Sequence, residues 1–374
     1  MSLTARELNR ATLARQMLLR RERLDPVTAI QRLCALQAQE PASPYIALWN
    51  RLEDFDPAEL DSAFTDHLIV KATLMRTTLH AVSMAGYPRF HCALSGYARR
   101  ARTASPRFVP TGRSDAEVGA LARPVAEFAR QPRTNAEMTA FLDDLLGPVP
   151  DPGIWWAVRP FAPIVHAPTG GPWSFGRRPS FVAPRTEPVE EQADDCLDAV
   201  AHSYLAAFGP ASIMDFAQFC KVARSDARAA FGRLQPRLET LDGGLYDVPG
   251  GVRPDVGTPA PPRLLPMWDS VLFAYADRSR IIPAPYRSLV IRQNGDTLPT
   301  ILLDGQVAGV WMAEPDGIRV TAFHELARCT WDELAVEAAS LVAFLADREP
   351  LVYRRYRRWW ATLPSVETRL LPGE

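Results

Sequence analysis

The order of predicted elements, helices followed by a pair of short strands, constrains the fold of this chain more than any other feature. Residues 68–73 and 77–83 are two short runs typical of strands. Upstream lie helix-starting signals, in which a side chain caps the first turn or proline occupies its first position. These signals are Thr4-Ala5-Arg6-Glu7, Asp25-Pro26 and Asp56-Pro57. The spacing predicts three helices and then a hairpin.

The same order returns further along the chain. Thr134-Asn135-Ala136-Glu137 is another capping pattern, followed by a stretch rich in proline and glycine. Gly209-Pro210-Ala211-Ser212 and Ser225-Asp226 then start two helices, and residues 238–248 predict a strand, a glycine turn and a strand. Helix, turn, helix and wing is a topology of DNA-binding domains. It also serves as a structural adaptor, so this pattern alone leaves both roles open.

The C-terminal third is predicted to be rich in strands. Asn294-Gly295 separates the apolar runs 289–292 and 297–303 and is the strongest hairpin signal of the chain. Asp304-Gly305 predicts a second turn, and a helix is expected over about 331–345.

The charge of the chain does not by itself indicate a nucleic-acid partner. The formal net charge is −1, yet all of its 42 basic residues except Lys71 and Lys221 are arginines. Arginine suits phosphate, but GC-rich codon usage explains the shortage of lysine equally well, and any one cluster could be a solvated face. The clusters are Arg99, Arg100, Arg102 and Arg107; Arg177 and Arg178; and Arg354, Arg355, Arg357 and Arg358.

Composition and motifs exclude several classes of protein. No apolar run approaches the roughly 20 residues of a membrane helix, and the N-terminal residues lack a signal peptide's apolar region, so we expect a cytoplasmic protein without a membrane partner. Five scattered cysteines without a C-x-x-C pair indicate reduced thiols, and six histidines show no metal-ligand spacing. There is no Walker loop and no Rossmann glycine fingerprint. We therefore expect no metal and no nucleotide cofactor.

Gln37 and Gln39 are the strongest candidates for chemistry. They lie in Leu36-Gln37-Ala38-Gln39-Glu40-Pro41, where the second predicted helix ends because Pro41 cannot continue it. Residues i and i+2 share one face of an extended segment, so two neutral amides could enter one cavity and hold a water. The alternative is a helix C-terminus whose amides satisfy the last free carbonyls.

Several sequence blocks together resemble one known family. The blocks are Leu36-Gln37-Ala38-Gln39; Arg76-Thr77-Thr78-Leu79-His80; Phe208-Gly209-Pro210-Ala211-Ser212 with Asp215-Phe216; Leu264-Leu265-Pro266-Met267-Trp268-Asp269; and Ile301-Leu302-Leu303-Asp304-Gly305 with Val307-Ala308-Gly309. In order and spacing, over nearly the whole chain, they resemble the winged-helix DNA glycosylases typified by AlkZ. The related YcaQ branch carries Gln-x-Asp, so Gln39 places this sequence on the AlkZ side.

The resemblance implies an α+β, mainly helical fold of three tandem winged helix-turn-helix units in a C-shaped arrangement around a concave DNA-binding face. We expect the units at residues 1–120, with the Gln-x-Gln motif, 121–200 and 201–256, and a β-rich part with a terminal helix packed on them over 257–374. It also implies hydrolysis of N7-alkylated purine nucleosides, in some members within interstrand cross-links. The expected partner is double-stranded DNA carrying alkylation damage or cross-links, bound by a monomer.

The chemistry of such a substrate suits neutral amides. An N7-alkylguanine is already cationic and leaves as a neutral base, so the enzyme must mainly position water and stabilise a cationic sugar. Gln37 and Gln39 are therefore the expected catalytic residues. Glycosylases that also nick the strand need an amine for a Schiff base, and neither Lys71 nor Lys221 adjoins the motif. We expect a monofunctional enzyme that leaves an abasic site and gives self-resistance to an azinomycin-type alkylating agent.

Arg76 and His80 are further candidates for the site. Placed on the second predicted strand, they are four residues apart and share a face. The resemblance suggests that they lie beside the active site, with one of them on a phosphate; a surface arginine and an ordinary strand histidine are the alternative. Glu40, next to the glutamines, is expected to face solvent.

A base cross-linked to the opposite strand cannot flip out freely, so a hairpin that probes the groove is expected. The candidates are Gln293-Asn294-Gly295-Asp296 and then Arg177-Arg178, each of which could equally be an ordinary surface turn. Arg99 and Arg100 are additional candidates for DNA binding, whereas the pairs Trp155-Trp156 and Trp359-Trp360 are expected in the core. The rival functions are a non-enzymatic tandem winged-helix transcription factor and a protein-interaction scaffold.

Overall fold

The computed structural model describes residues 3–109, 112–147, 153–186, 189, 191–364 and 366–372. Within these residues the α-helices are α1 (Ala5–Arg15), α2 (Pro26–Arg32), α3 (Ser43–Trp49), α4 (Pro57–Thr65), α5 (Tyr87–Thr103), α6 (Asp115–Ala120), α7 (Ala122–Phe128), α8 (Asn135–Leu146), α9 (Ile154–Val158), α10 (Ala193–Phe208), α11 (Ile213–Cys220), α12 (Arg224–Leu234), α13 (Arg287–Val290), α14 (Arg328–Ala346) and α15 (Arg357–Trp360). None of them is long and apolar enough to cross a membrane.

The strands of the same residues are β1 (Leu36–Gln37), β2 (Ile69–Thr73), β3 (Leu79–Ser83), β4 (Arg133–Thr134), β5 (Val165–Ala167), β6 (Ser180–Val182), β7 (Ala211–Ser212), β8 (Glu239–Leu241), β9 (Leu245–Asp247), β10 (Arg263–Leu265), β11 (Thr300–Leu303), β12 (Gln306–Glu314), β13 (Gly317–Ala322) and β14 (Glu367–Leu371). They pair antiparallel in three sheets, with the orders β1-β3-β2-β5-β6-β4, β7-β9-β8 and β10-β11-β12-β13-β14. The fold is thus mixed helix and strand with a C-terminal sheet.

Local capping explains where several helices begin. Thr4 and Thr134 each accept a hydrogen bond from the backbone N–H three residues later, while the glutamate at that position bonds back to the cap. Ser212 and Asp215 form the same box at the start of α11. Asp25 and Asp56 cap helices whose first residue is proline. These predicted starts are confirmed because capping depends on residues that are adjacent in the sequence.

The predicted first hairpin is confirmed as β2 and β3, which pair from Ile69–Ser83 to Thr73–Leu79. Strand β5 pairs on the free side of β2, through Lys71 and His166. One sheet therefore joins strands from residues 1–120 with strands from residues 121–200. At 209–250, α11, α12, β8 and β9 follow in the predicted order, with β7 added to the small sheet. The unit boundaries at 120, 200 and 256 stay a prediction.

The predicted strand at 289–292 is wrong. Residues Arg287–Val290 form the short helix α13, which continues a helical turn at Ala284–Tyr286 whose second residue is proline. The Asn294-Gly295 turn forms, but a single bridge between Ile291 and Thr297 closes it. By contrast, α14 covers the predicted C-terminal helix and packs against β13.

Two apolar cores hold these elements. The larger runs from α1 through the first sheet and α10 to the C-terminal sheet and α14. The smaller lies between α5, α6, α8 and α9 and includes Phe108, Met138 and Trp155. Trp359 and Trp360 are buried as expected. Trp156 is only half-buried, so the prediction for this residue is wrong, and the guanidinium groups of two arginines, Arg102 and Arg107, lie over its ring.

Candidate active site

Gln37 lies on a strand, and the prediction that a helix runs up to it is wrong. Helix α2 ends at Arg32, and Cys34 has a φ of 68°, in the left-handed region that stops a helix. The chain then extends so that Gln37 pairs with His80 of β3 and the Ala38 N–H donates to the Leu79 carbonyl at 2.7 Å. Pairing with β3 thus fixes the motif in the extended form in which alternate residues share a face.

The Gln37 side chain is held in one orientation. Its Oε1 accepts a hydrogen bond of 2.8 Å from Nη2 of Arg76, and only 5% of the residue is exposed. Since arginine can only donate, this contact identifies the oxygen of the amide. The backbone of Gln37 is held as well: its N–H donates to Ser270 Oγ at 3.3 Å, and the Ser270 hydroxyl donates to the Ala35 carbonyl at 3.0 Å. Among the described residues, Gln37 Nε2 has no hydrogen-bond partner, so it is available to a ligand.

Gln39 is the exposed member of the pair. Its Oε1 accepts a long hydrogen bond, 3.4 Å, from the Leu79 N–H. That contact again identifies the amide oxygen, because a backbone N–H can only donate. A carbonyl oxygen accepts two hydrogen bonds, so Gln37 and Gln39 each keep one acceptor position for water.

Arg76 lies in the turn between β2 and β3, and its predicted place on the strand is wrong. Arg76 and Thr77 have φ values of 56° and 55°, which are unusual for non-glycine residues and strained for a β-branched one. This turn brings the guanidinium over Gln37, and it also donates to the Phe219 carbonyl at 2.7 Å. Burial lowers the pKa of Arg76 to about 10, assisted by the nearby charge of Arg278. Arg76 is therefore a cation near neutral pH.

His80 is fully buried beside Gln37. Its Nδ1 lies 3.0 Å from the Thr78 carbonyl, which only accepts, so Nδ1 carries the proton and Nε2 is free to accept from Arg76 Nη2 at 3.4 Å. Burial and the charge of Arg76 lower the pKa of His80 to about 3. His80 is thus a neutral partner of Arg76, and it cannot exchange protons as an acid or base near neutral pH.

We expect NMR to show His80 neutral, with the proton on Nδ1, from about pH 8 down to about pH 5, because its charged form would be buried beside a cation. A histidine in the unfolded chain binds a proton near its ordinary pKa of about 6.5. His80 therefore lowers the free energy of unfolding as the pH falls below that value. The signal is assigned by its loss in His80→Asn. A His80 titration near pH 6.5 would contradict this arrangement.

The register of the sheet separates Lys71 from the glutamines. Gln37, His80 and Ala72 are cross-strand neighbours and share one face, whereas Lys71 pairs with Ala81 on the other face. The Lys71 ammonium lies 4.5 Å from the centre of the Phe175 ring, and burial lowers its pKa to about 8. The amine therefore points away from Gln37.

Glu40 does not face solvent, so that prediction is wrong. Its side chain is 12% exposed and forms an ion pair with Arg355, and it accepts a hydrogen bond of 2.8 Å from the hydroxyl of Tyr356. The Tyr356 ring meets Trp268 edge to face at 5.8 Å, and Trp268 Nε1 donates to the Gly295 carbonyl at 2.9 Å. A chain of contacts thus joins the end of the Gln-x-Gln segment to the predicted groove-probing turn.

The other predicted DNA-binding residues lie at the surface. Gln293 and Asn294 are exposed at their turn, which Asn294 closes by donating to Asp296 at 2.9 Å. Arg177 and Arg178 are exposed in the loop between β5 and β6, without a hydrogen bond or ion pair to any described residue. In contrast, Arg99 on α5 pairs with an acid, Asp115, at 3.0 Å, and Arg100 lies 4.7 Å from the centre of the Tyr97 ring.

Sequence reasoning missed Ser270, Phe273 and Arg278, which surround Gln37 and Arg76 from the C-terminal half of the chain. Ser270 directly follows Asp269, the last residue of a block that resembles the family, which is the one signal that pointed to this segment. The described residues contain no group of three or more histidine, cysteine, aspartate or glutamate side chains that could hold a metal.

Comparison with known proteins now identifies the family. The model of AlkZ-like DNA glycosylases matches residues 30–344. The chain belongs to the AlkZ-like DNA glycosylase family. The resemblance carried by the Gln-x-Gln and later blocks is thereby confirmed.

A solved structure and a protein sequence that are similar to this chain both come from Streptomyces sahachiroi. The solved structure of its DNA glycosylase AlkZ has a TM-score of 0.78 at 21% identity, covering 94% of this chain and 99% of that one, so the two share a fold. An interstrand DNA cross-link repair glycosylase is 29% identical over 157 residues, which are 40% of this chain. The match spans 42% of that protein's length.

Proposed function

We propose that this protein is a monofunctional, metal-independent DNA glycosylase that removes bulky N7-alkylguanine and unhooks interstrand cross-links. The observation that supports this proposal most strongly is the pair of neutral amides, Gln37 and Gln39, on one extended segment. Arg76 fixes the amide of Gln37 through a hydrogen bond. No carboxylate among the described residues forms a hydrogen bond with the side chain of Gln37 or Gln39. Membership of the AlkZ-like family and the similarity to a cross-link repair glycosylase support DNA as the substrate, and no observation favours a non-enzymatic transcription factor.

The reaction follows from these groups. The bond between the sugar and N9 breaks, and its electron pair goes to the cationic base, which leaves neutral. Gln37 and Gln39 hold a water through their remaining acceptor positions, and its oxygen bonds to the sugar cation. The water then loses a proton to solvent. The product is an abasic site.

The lysines support the monofunctional reaction. Lys71 lies on the opposite face of the sheet from Gln37, so it does not supply an amine to the sugar. Lys221 is exposed after α11. We further propose that the protein acts as a cytoplasmic monomer on damaged duplex DNA, with its three winged-helix units forming a concave face. Self-resistance to an azinomycin-type agent is the proposed biological role.

The function is tested with duplexes that carry N7-methylguanine or a cross-link, treated with alkali after incubation so that abasic sites become strand breaks. We expect breaks with the wild-type protein and a loss of about 100-fold or more in Gln37→Ala/Gln39→Ala. Gln306→Ala replaces an exposed glutamine on β12 and is the matched control. Thermal melting of each variant separates lost chemistry from lost folding. Intact strands with the wild-type protein on every N7 adduct would refute the proposal.

A further inference from the structure

Two arginine side chains lie close to the ring of Phe273, and one of them, Arg76, contacts Gln37. The guanidinium carbon of Arg76 is 5.3 Å from the centre of the Phe273 ring, and that of Arg278 is 4.9 Å away. Both arginines are partly buried, and the charge of Arg287 reaches Arg278, whose pKa is lowered by burial and then by Arg287. We name Arg76, Arg278 and Arg287 the Phe273 arginine cluster.

No carboxylate of the described residues forms an ion pair with this cluster. The hydrogen bonds of the Arg76 guanidinium all go to uncharged acceptors. Arg278 and Arg287 form no ion pair with the described part of the chain. Asp277, adjacent to Arg278 in sequence, caps its own turn by accepting from the Ser279 N–H at 2.9 Å. The hydrogen bonds from Ser279, and after them the charges of Arg280 and Arg287, lower the pKa of Asp277, so its carboxylate offsets part of the charge of Arg287 but is not paired with Arg76 or Arg278. Arginines gathered without counter-charges are the usual arrangement for binding an anion.

The uncompensated charge conflicts with the chemistry of a cationic substrate. Arg76 touches Gln37, so an N7-alkylguanine and its sugar cation would form close to a positive guanidinium. Like charges repel strongly in a partly buried site. Glu40 does not relieve this repulsion, because Arg355 already pairs with it. A bound anion would both satisfy the arginines and reverse the local potential.

We propose that Arg278 of the Phe273 arginine cluster binds a backbone phosphodiester of the damaged strand beside the lesion, and that this phosphate supplies the negative charge that stabilises the sugar cation. The inference rests on the proposed glycosylase function. A phosphodiester fits because the planar fork of Arg278 can donate two parallel hydrogen bonds to it. The substrate thus brings the anion that the amides of Gln37 and Gln39 cannot provide.

Arg278→Gln tests the cluster without touching the glutamines. Single-turnover base release should be about tenfold slower, as expected for a lost charge-assisted hydrogen bond. The slope of log affinity for duplex against log salt should fall by about 1, the change for one lost phosphate contact. The matched control is Arg328→Gln, because Arg328 is exposed at the start of α14. It should leave rate and slope unchanged. Melting temperatures establish that each variant is folded.

Neutral methylphosphonate linkages, placed singly around the lesion, locate the phosphate. At one position the wild-type rate should fall about tenfold, and Arg278→Gln should show no further loss there. Two results would overturn the phosphate site while leaving the glycosylase function intact. In the first, a methylphosphonate at every position slows Arg278→Gln as much as it slows the wild-type enzyme. In the second, Arg278→Gln has the rate and the salt slope of an active wild-type enzyme. If the wild-type protein releases no base, the glycosylase fails instead, and salt slopes and methylphosphonate effects on duplex binding still decide whether the cluster holds a phosphate.

Discussion

Replacing Arg76 with methionine should slow base release about 100-fold at saturating enzyme. This is the size of effect expected when a group that stabilises the transition state is no longer held in place. Methionine preserves much of the volume but donates no hydrogen bond. The Gln37 carbonyl would then lose the partner that orients it at 2.8 Å, and the amide could rotate away from the water. Arg76 is a positioning residue, since it acts on the reaction through Gln37. The measurement is the single-turnover rate with an N7-alkylguanine duplex.

A double-mutant cycle distinguishes positioning from a general loss of structure. If Arg76 acts through Gln37, Arg76→Met/Gln37→Ala should be no slower than the slower of its two single variants. Arg76→Lys keeps the charge, but an ammonium cannot donate hydrogen bonds to Gln37, His80 and the Phe219 carbonyl at the same time, as the planar guanidinium does. We therefore expect only partial activity from this variant. Losses that multiply in the double variant would show that Arg76 acts independently of Gln37.

The sequence predicted those elements whose signals are local. The capping boxes at Thr4, Thr134 and Ser212 use residues three apart, and α14 and the β2–β3 hairpin follow short-range patterns. The family resemblance, not periodicity, favoured a catalytic role for Gln37 and Gln39 over a purely structural role at a helix end. The family is confirmed, while the roles of the two residues stay a proposal.

The rest depended on contacts between distant segments. Gln37 is a strand residue because β3, some 40 positions later, pairs with it, and no local pattern showed that α2 would stop at Arg32. Two consecutive left-handed residues, Arg76 and Thr77, aim the guanidinium inward, and only tertiary packing stabilises such a turn. Phe273 and Ser270 arrive from more than 190 residues away, so their place in the site could not be read from spacing.

Asp269→Ala should destabilise the protein by about 3–5 kcal/mol, because it leaves a buried guanidinium without its counter-charge. The side chains of Arg51 and Asp269 are both fully buried and joined by two hydrogen bonds of 2.8 Å. The Arg51 Nε has no hydrogen-bond partner among the described atoms, so this arginine depends on Asp269 and on the Ala47 carbonyl. Urea unfolding measures the loss.

The same substitution should loosen the active site, because Asp269 caps the turn Ser270–Phe273 by accepting from the Val271 N–H at 3.1 Å. Ser270 accepts the hydrogen bond from the Gln37 N–H, and Arg76 and Arg278 pack against the ring of Phe273. Base release should therefore fall even at temperatures where the variant remains folded. Arg51→Met/Asp269→Leu removes both charges and should recover most of the stability, but not the cap and therefore not the full rate. Equal stability of Asp269→Ala and wild type would show that water reaches Arg51, and a full rate in the double variant would show that the cap does not position the site.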